Sequence, residues 1–417
     1  MTLTFYEIFL LVVRSIVVAF NGLYEKREQY LRDQCFQLLP LELVAQVVES
    51  LESDKVDQRE SSVDRQRALA TCARTSSWLS RFAEPQLFER PYLTHHLERF
   101  ERTLRLRPEM AERIQQVVID LREDPLPSLE SAPAAKAVAL LGRRTKTVGL
   151  MEVREVQLGH LAYLPQLERL HLHFMNYATH HGRSLFHPPI TPCPPFYNLT
   201  SLSLSCINLP YPAGDSSPVS EIYVPDILPN LNALELDECC VRIVSKANNF
   251  PLLKYFALRC SCVRCVPELE LQTSLIAPLE LFELNPQPLF LAYFRHHSDK
   301  LPRFKRLRLA SEYHRFRSNK TATFSLEILI DGLRNKPHSP LKHLVQLSLP
   351  NYWDNHPAPE VYNMCLELLA LARKRDVQVD FDVYDEGSRV NRATRSACFS
   401  SDFWHIVERI KASTVKV

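Results

Sequence analysis

Four times along the chain, a leucine or phenylalanine is followed by proline, one further residue and then apolar side chains in an LxxLxL spacing, phenylalanine being allowed at the leucine positions. The copies run from Leu164-Pro165 to Leu172, Leu228-Pro229 to Leu236, Phe250-Pro251 to Leu258 and Leu301-Pro302 to Leu309. At this content of leucine, phenylalanine and proline, roughly 0.05 copies would arise by chance. Looser LxxLxL cores begin at Ile114, Leu199, Leu279 and Leu344, and a weaker one at Val153. From Leu167 through Leu344 the clear steps are 32, 32, 22, 26, 25 and 40 residues, so the return arms carry insertions of unequal length.

This spacing has a direct physical consequence. In a strand, residues two apart share a face, so the last two apolar positions of each copy point inward while their neighbours face outward. A single copy cannot bury that inward face. Copies stacked side by side can, which predicts an α/β chain built as an irregular solenoid, with a curved parallel sheet on one side and helices or turns on the other. The upstream proline suits a chain leaving a helix and entering an extended segment.

The outward positions are then the natural recognition surface. They include Arg169, His171, His173, Ser203, Glu235, Asp237, Tyr255, Arg259, Glu283, Arg306 and Arg308. Their mixed signs suit a protein or peptide partner better than nucleic acid, whose backbone favours a uniformly basic stripe. Glu235 and Asp237, two apart on one strand face, read as a solvated acidic patch, and the basic run Lys305, Arg306 and Arg308 as a solvated strand face.

Composition narrows the functional classes. The net charge of +2 lacks the concentrated basic field that phosphate binding needs. Eight glycines against 29 prolines argue against phosphate-cradling loops, dinucleotide turns and nucleophile elbows, all of which use glycine where the backbone is tight or left-handed. No GxGxxG, Walker A or GxSxG motif occurs. The 11 cysteines fall at irregular positions and read as reduced thiols of a cytoplasmic or nuclear protein. Cys260, Cys262 and Cys265, with Cys239 and Cys240 upstream, lack a second ligand pair at matched spacing, so neither metal nor cofactor is expected. The pairs His95-His96, His180-His181 and His296-His297 point adjacent side chains to different faces and make no chelate.

Phe5 to Phe20 is strongly apolar, but Glu7 and Arg14 interrupt it and it is shorter than the roughly 20 residues of a spanning helix. A packed helix or an N-terminal extension is expected there, with a membrane anchor as the alternative. Leu39-Pro40 then opens a helix, proline occupying the first helical position. Leu43, Val44, Val47, Val48 and Leu51 form a stripe that must meet another element. After the polar stretch Glu52 to Arg67, a second amphipathic segment places Leu69, Cys72, Ala73 and Ser76 on one face, and Trp78, Phe82, Leu87 and Phe88 complete an apolar set.

Leu39-Pro40-Leu41-Glu42-Leu43-Val44, Ala73-Arg74-Thr75-Ser76-Ser77-Trp78 and Ala83-Glu84-Pro85-Gln86-Leu87-Phe88 resemble the F-box of many fungal proteins, over about fifty residues. With the downstream copies, nearly the whole chain resembles fungal F-box proteins carrying degenerate leucine-rich repeats. The resemblance implies a non-catalytic adaptor. Leu39, Pro40, Leu43, Val44, Val47 and Leu51 would bind the small adaptor subunit of a cullin-RING ubiquitin ligase, while the repeats hold a protein substrate. The connection Glu52 to Arg67 is longer than the family usually has. A scaffold or membrane-associated repeat protein without ligase engagement is the alternative.

The expected organisation is an N-terminal apolar segment over 1–37, an F-box-like module over 38–92, the repeat solenoid over 93–385 and a capping segment over 386–417. In the last of these, Ser400 or Ser401 can cap a helix carrying Phe403, Trp404, Ile406, Val407 and Ile410, expected to cover the exposed edge of the final repeat.

Overall fold

The structure is a computed structural model and describes residues 66, 68–74, 77–93, 97–120, 137–153, 161, 164, 166–174, 196–205, 220–223, 228–237, 241–244, 252–259, 278–284, 303–310, 319–335, 339–354, 356–382 and 402–414. The chain divides into two units, Met1–Arg90 and Pro91–Val417. In the first, residues 68–74 are helical and are followed by α1 (Ser77–Glu89). Leu69, Leu79 and Ala83 are buried together, with Cys72, Ala73, Phe82 and Leu87 packed around them, while Ser76 of the expected small-residue face lies outside the described residues. Pro85 lies inside α1. The ligase-adaptor positions Leu39, Pro40, Leu43, Val44, Val47 and Leu51, and the apolar stretch from Phe5 to Phe20, lie outside the described residues.

The second unit is α/β. Its strands are β1 (Tyr92–Leu93), β2 (Gln116–Asp120), β3 (Thr147–Val153), β4 (Arg169–Phe174), β5 (Ser201–Ser205), β6 (Ser220–Tyr223), β7 (Ala233–Asp237), β8 (Val241–Val244), β9 (Tyr255–Arg259), β10 (Leu281–Leu284), β11 (Arg306–Leu309), β12 (Gln346–Pro350) and β13 (Gln378–Asp382). Among the described residues, eleven of them form one curved, all-parallel sheet in the order β1-β2-β3-β4-β5-β7-β9-β10-β11-β12-β13, and β6 and β8 pair separately. Within that sheet, each strand lies beside its predecessor in the sheet. That order is compatible with a solenoid-like repeat, whereas a doubly wound sheet reverses its strand order partway.

The register places the repeat leucines in continuous rows. Leu170, Leu202, Leu234 and Phe256 are successive partners on β4, β5, β7 and β9, as are Leu172, Leu204, Leu236 and Leu258. The rows continue through Phe282 to Leu307 and through Leu284 to Leu309. All of these side chains are at most 2 % exposed, as burial of an inward face by neighbouring copies requires. Two aromatic substitutions stack within the row, Phe256 and Phe282 having ring centroids 5.6 Å apart at 8°, and Phe304, ahead of β11, lies tilted against Phe282 at 5.4 Å.

The proline ahead of the repeat closes a turn. In Leu228-Pro229-Asn230-Leu231 the Leu231 N–H donates to the Leu228 carbonyl at 3.3 Å, with proline at the second position, where its fixed φ suits the turn. Phe196-Tyr197-Asn198-Leu199 makes the same turn without proline. Toward the C-terminal end of the sheet the return arms become helices, α4 (Asn319–Arg334) and α5 (Pro359–Lys374), which pack on each other; α2 (Leu97–Leu106) and α3 (Pro108–Ala111) precede β2. Gly142 allows one tight approach, since a Cβ there would meet the Ala111 carbonyl oxygen at 2.6 Å.

Candidate functional site

The sheet face opposite the leucine rows carries polar side chains in register, His171, Ser203 and Glu235 being successive partners on β4, β5 and β7. On β9 that row holds Ala257, and on β10 and β11 it continues with Glu283 and Arg308. Adjacent strands lie about 4.8 Å apart, so the two glutamates, two strands apart, face each other across the gap left by Ala257. Arg259, two residues further along β9, fills that gap. Its guanidinium sits 3.2 Å from Glu235 Oε1 and its Nε donates to Glu283 Oε1 at 2.6 Å, while Arg308 Nη1 donates to Glu283 Oε2 at 2.6 Å. Ser203 Oγ donates to Glu235 Oε2 at 2.6 Å. Two carboxylates thus neutralise two guanidiniums, and the four side chains are no more than 4 % exposed.

A helix covers the middle of this face. In α6 (Asp402–Thr414), Phe403, Trp404 and Val407 are buried against Ala233, Tyr255, Ala257 and Leu281, with Ile406 and Ile410 at the margin. The alanines on β7 and β9 let the helix approach the sheet, and the Trp404 indole N–H donates to Glu235 Oε2 at 2.5 Å. At its edge, Arg169 Nη2 meets Glu408 Oε1 at 2.8 Å, and Lys411 lies 5.8 Å from the Tyr255 ring centroid.

These observations correct four expectations. The outward positions His171, Ser203, Glu235, Tyr255, Arg259 and Arg308 are buried, and Arg169, His173, Asp237 and Arg306 are half-buried, so the middle of this face is an internal contact and not an open recognition surface. A charged row on a sheet face escapes water when its members pair with one another and a helix closes over them. Glu235 is accordingly part of an ion-pair chain and not of a solvated acidic patch, and Arg308 is not on a solvated face. The C-terminal helix covers β7, β9 and β10, not the edge of the final repeat, because the small residues that admit it sit in mid-sheet.

Burial also governs His171. Loss of solvation, with the neighbouring His173 adding to it, lowers its pKa to about 3, so the imidazole is neutral in the folded chain. Buried Cys365 on α5 is pushed up to about 11, chiefly by desolvation and then by Asp354, which keeps it a thiol. Among the described residues no group of three His, Cys, Asp or Glu is placed to hold a metal ion, and no helix is long and apolar enough to cross a membrane. The cysteine cluster and the three histidine pairs lie outside the described residues.

Among the described residues, the entry to the strands is open to solvent. The first variable residue of each LxxLxL copy forms a row, Glu168, Thr200, Asn232, Lys254 and Glu280, in which each N–H donates to the carbonyl of the residue before it in the row. Beside this row and the end of α6 runs a groove of about 1080 Å³, whose lining includes Tyr197, Asn230, Leu252, Lys305 and Lys411. Tyr197 is 64 % and Leu252 47 % exposed. Asn230 and Asn232 hold its floor by donating to the Tyr197 and Leu252 carbonyls. Lys146 pairs with Glu168, Lys305 and Arg306 with Glu280, and Arg169 and Lys411 with Glu408, while Lys254 has no carboxylate partner among the described residues. Of the residues that line the groove, three are cations, Lys254, Lys305 and Lys411, and two are carboxylates, Glu168 and Glu280. Sequence reasoning passed over this row by weighing the strand residues alone, although the first x of every copy marks it. The chain matches no protein-family model and shows no significant similarity to the curated proteins it was compared with.

Proposed function

We propose that the chain is an F-box-type, substrate-recruiting adaptor of a cullin-RING ubiquitin ligase. The N-terminal module, through Leu39, Pro40, Leu43, Val44, Val47 and Leu51, docks on the small adaptor subunit of the ligase, and the repeat unit holds a protein target. The observation that carries this reading is the single parallel ladder in which the LxxLxL copies from Leu167 to Leu344 each contribute one strand beside the last, together with the F-box-like residues ahead of it. Such a scaffold acts by tethering: it makes the encounter between target and transferring enzyme intramolecular and makes no bond itself. Glu235 and Glu283, the carboxylates most deeply placed on the polar face, accept from guanidinium, indole and hydroxyl donors, which suits a structural role. Co-purification from cells tests the proposal. The full chain brings down the ligase adaptor, and replacing Leu39, Pro40 and Leu43 by alanine abolishes this; undiminished binding by the triple variant rules the proposal out.

A further inference from the structure

We infer that the groove at the strand entries is the surface that takes the target, and that it fits an extended, acidic peptide segment carrying an aromatic or aliphatic side chain. The inference rests on the adaptor reading for the origin of that peptide, but the groove argues for its chemistry independently. From Tyr197 ahead of β5 to Lys305 ahead of β11 the groove crosses four strand spacings, about 19 Å. An extended chain covers that span with about six residues at 3.3 Å each. Among the residues lining the groove, Lys254, Lys305 and Lys411 outnumber Glu168 and Glu280, and Lys254, exposed and without a carboxylate partner among the described residues, selects for negative charge in the occupant. Tyr197 and Leu252 supply exposed apolar area between the charges, which a purely electrostatic surface would not need. The Asn230 and Asn232 amides tie this rim to the backbone, so an arriving peptide meets a preformed floor. Lys411 comes from α6, so the docked C-terminal helix completes the groove as well as sealing the polar face.

The test is selection of random peptides displayed on a carrier against the purified full chain. Enriched sequences carry Asp or Glu close to an aromatic or aliphatic residue. The best of them, made synthetically, binds Lys254→Glu and Tyr197→Ala each about tenfold more weakly, a difference near 1.4 kcal/mol. The exposed Lys374→Glu control on α5 binds it unchanged. Enrichment without acidic bias, no enrichment, affinities for Lys254→Glu within about twofold of the unsubstituted chain, or displacement of the peptide by a single-stranded oligonucleotide at lower concentration would each overturn the inference. No ligase adaptor is present in the selection, so failed co-purification leaves a positive peptide result standing, and a negative selection leaves adaptor binding standing.

Discussion

Trp404 and Glu235 are 169 residues apart in the chain and share a hydrogen bond of 2.5 Å, indole N–H to carboxylate, beneath a helix that closes the centre of the sheet. This bond explains why a tryptophan stands where packing alone would accept any large apolar residue. Trp404→Phe keeps most of the packing and removes one donor from a buried, charged acceptor, so we expect a loss of about 1–3 kcal/mol. Trp404→Ala also opens a cavity and costs about 3–5 kcal/mol. Urea denaturation of the two variants reads both values, and a Trp404→Phe variant as stable as the unsubstituted chain would show that the bond adds nothing to the ring.

Glu283 is fully buried between two guanidiniums. Glu283→Gln leaves Arg259 and Arg308 with one carboxylate between them, and we expect a loss of about 3–5 kcal/mol from the uncompensated charge. Exchanging the whole group for apolar residues of similar volume is expected to restore most of that, because burying the ions is itself costly. A Glu283→Gln variant within about 1 kcal/mol of the unsubstituted chain in chemical denaturation would contradict the buried ion-pair chain.

His171 gives the stability a pH dependence of known sign. Its folded-state pKa of about 3 lies below the ordinary 6.5, so the unfolded chain takes up the proton first. The contribution of the neutral imidazole is complete above about pH 6.5 and is lost as pH falls toward 3, with a slope approaching about 1.4 kcal/mol per pH unit. His171→Gln removes this component, so the unsubstituted chain loses stability relative to the variant steadily as pH falls from 6.5 to 4. A constant difference across that range would mean that His171 is not neutral when folded.

Asp376 has a φ of 53° just after α5, where the Val377 N–H bonds the Ala372 carbonyl at 3.0 Å. Glycine adopts this left-handed helix end without the Cβ penalty. Asp376→Gly is expected to stabilise the chain by about 0.5–1 kcal/mol, seen as a rise in melting temperature. A fall would show that the Asp376 side chain holds the turn.

Particular residues show how far the sequence could be read. The copies from Leu167 to Leu344 all became strands, because leucines two apart are a strong signal for a half-buried strand and phenylalanine fits the same row. Strand β3 was missed: its register aligns Val148 with Leu170, which puts Thr145 where the first leucine of a copy belongs, and the weaker match at Val153 falls at the end of the strand. Thr145 is buried and bonds the Ile114 carbonyl, so a hydroxyl serves there in place of an apolar side chain. Strand β13 was missed for a related reason, since Asp376 with its positive φ stands at the first position. The burial of the polar face was not legible because it depends on a helix far along the chain. Nothing local in Ser203, Glu235 or Arg259 signals that Phe403 and Trp404 return to cover the face.

The ligase adaptor's binding to the N-terminal module is the point on which the functional account turns. Isothermal titration of the purified adaptor subunit into the full chain measures it without other ligase components. The account predicts saturable binding at one adaptor per chain, lost in the chain carrying Leu39→Ala, Pro40→Ala and Leu43→Ala while its melting temperature is retained. Absence of binding by the unsubstituted chain, or equal binding by the triple variant, would contradict it.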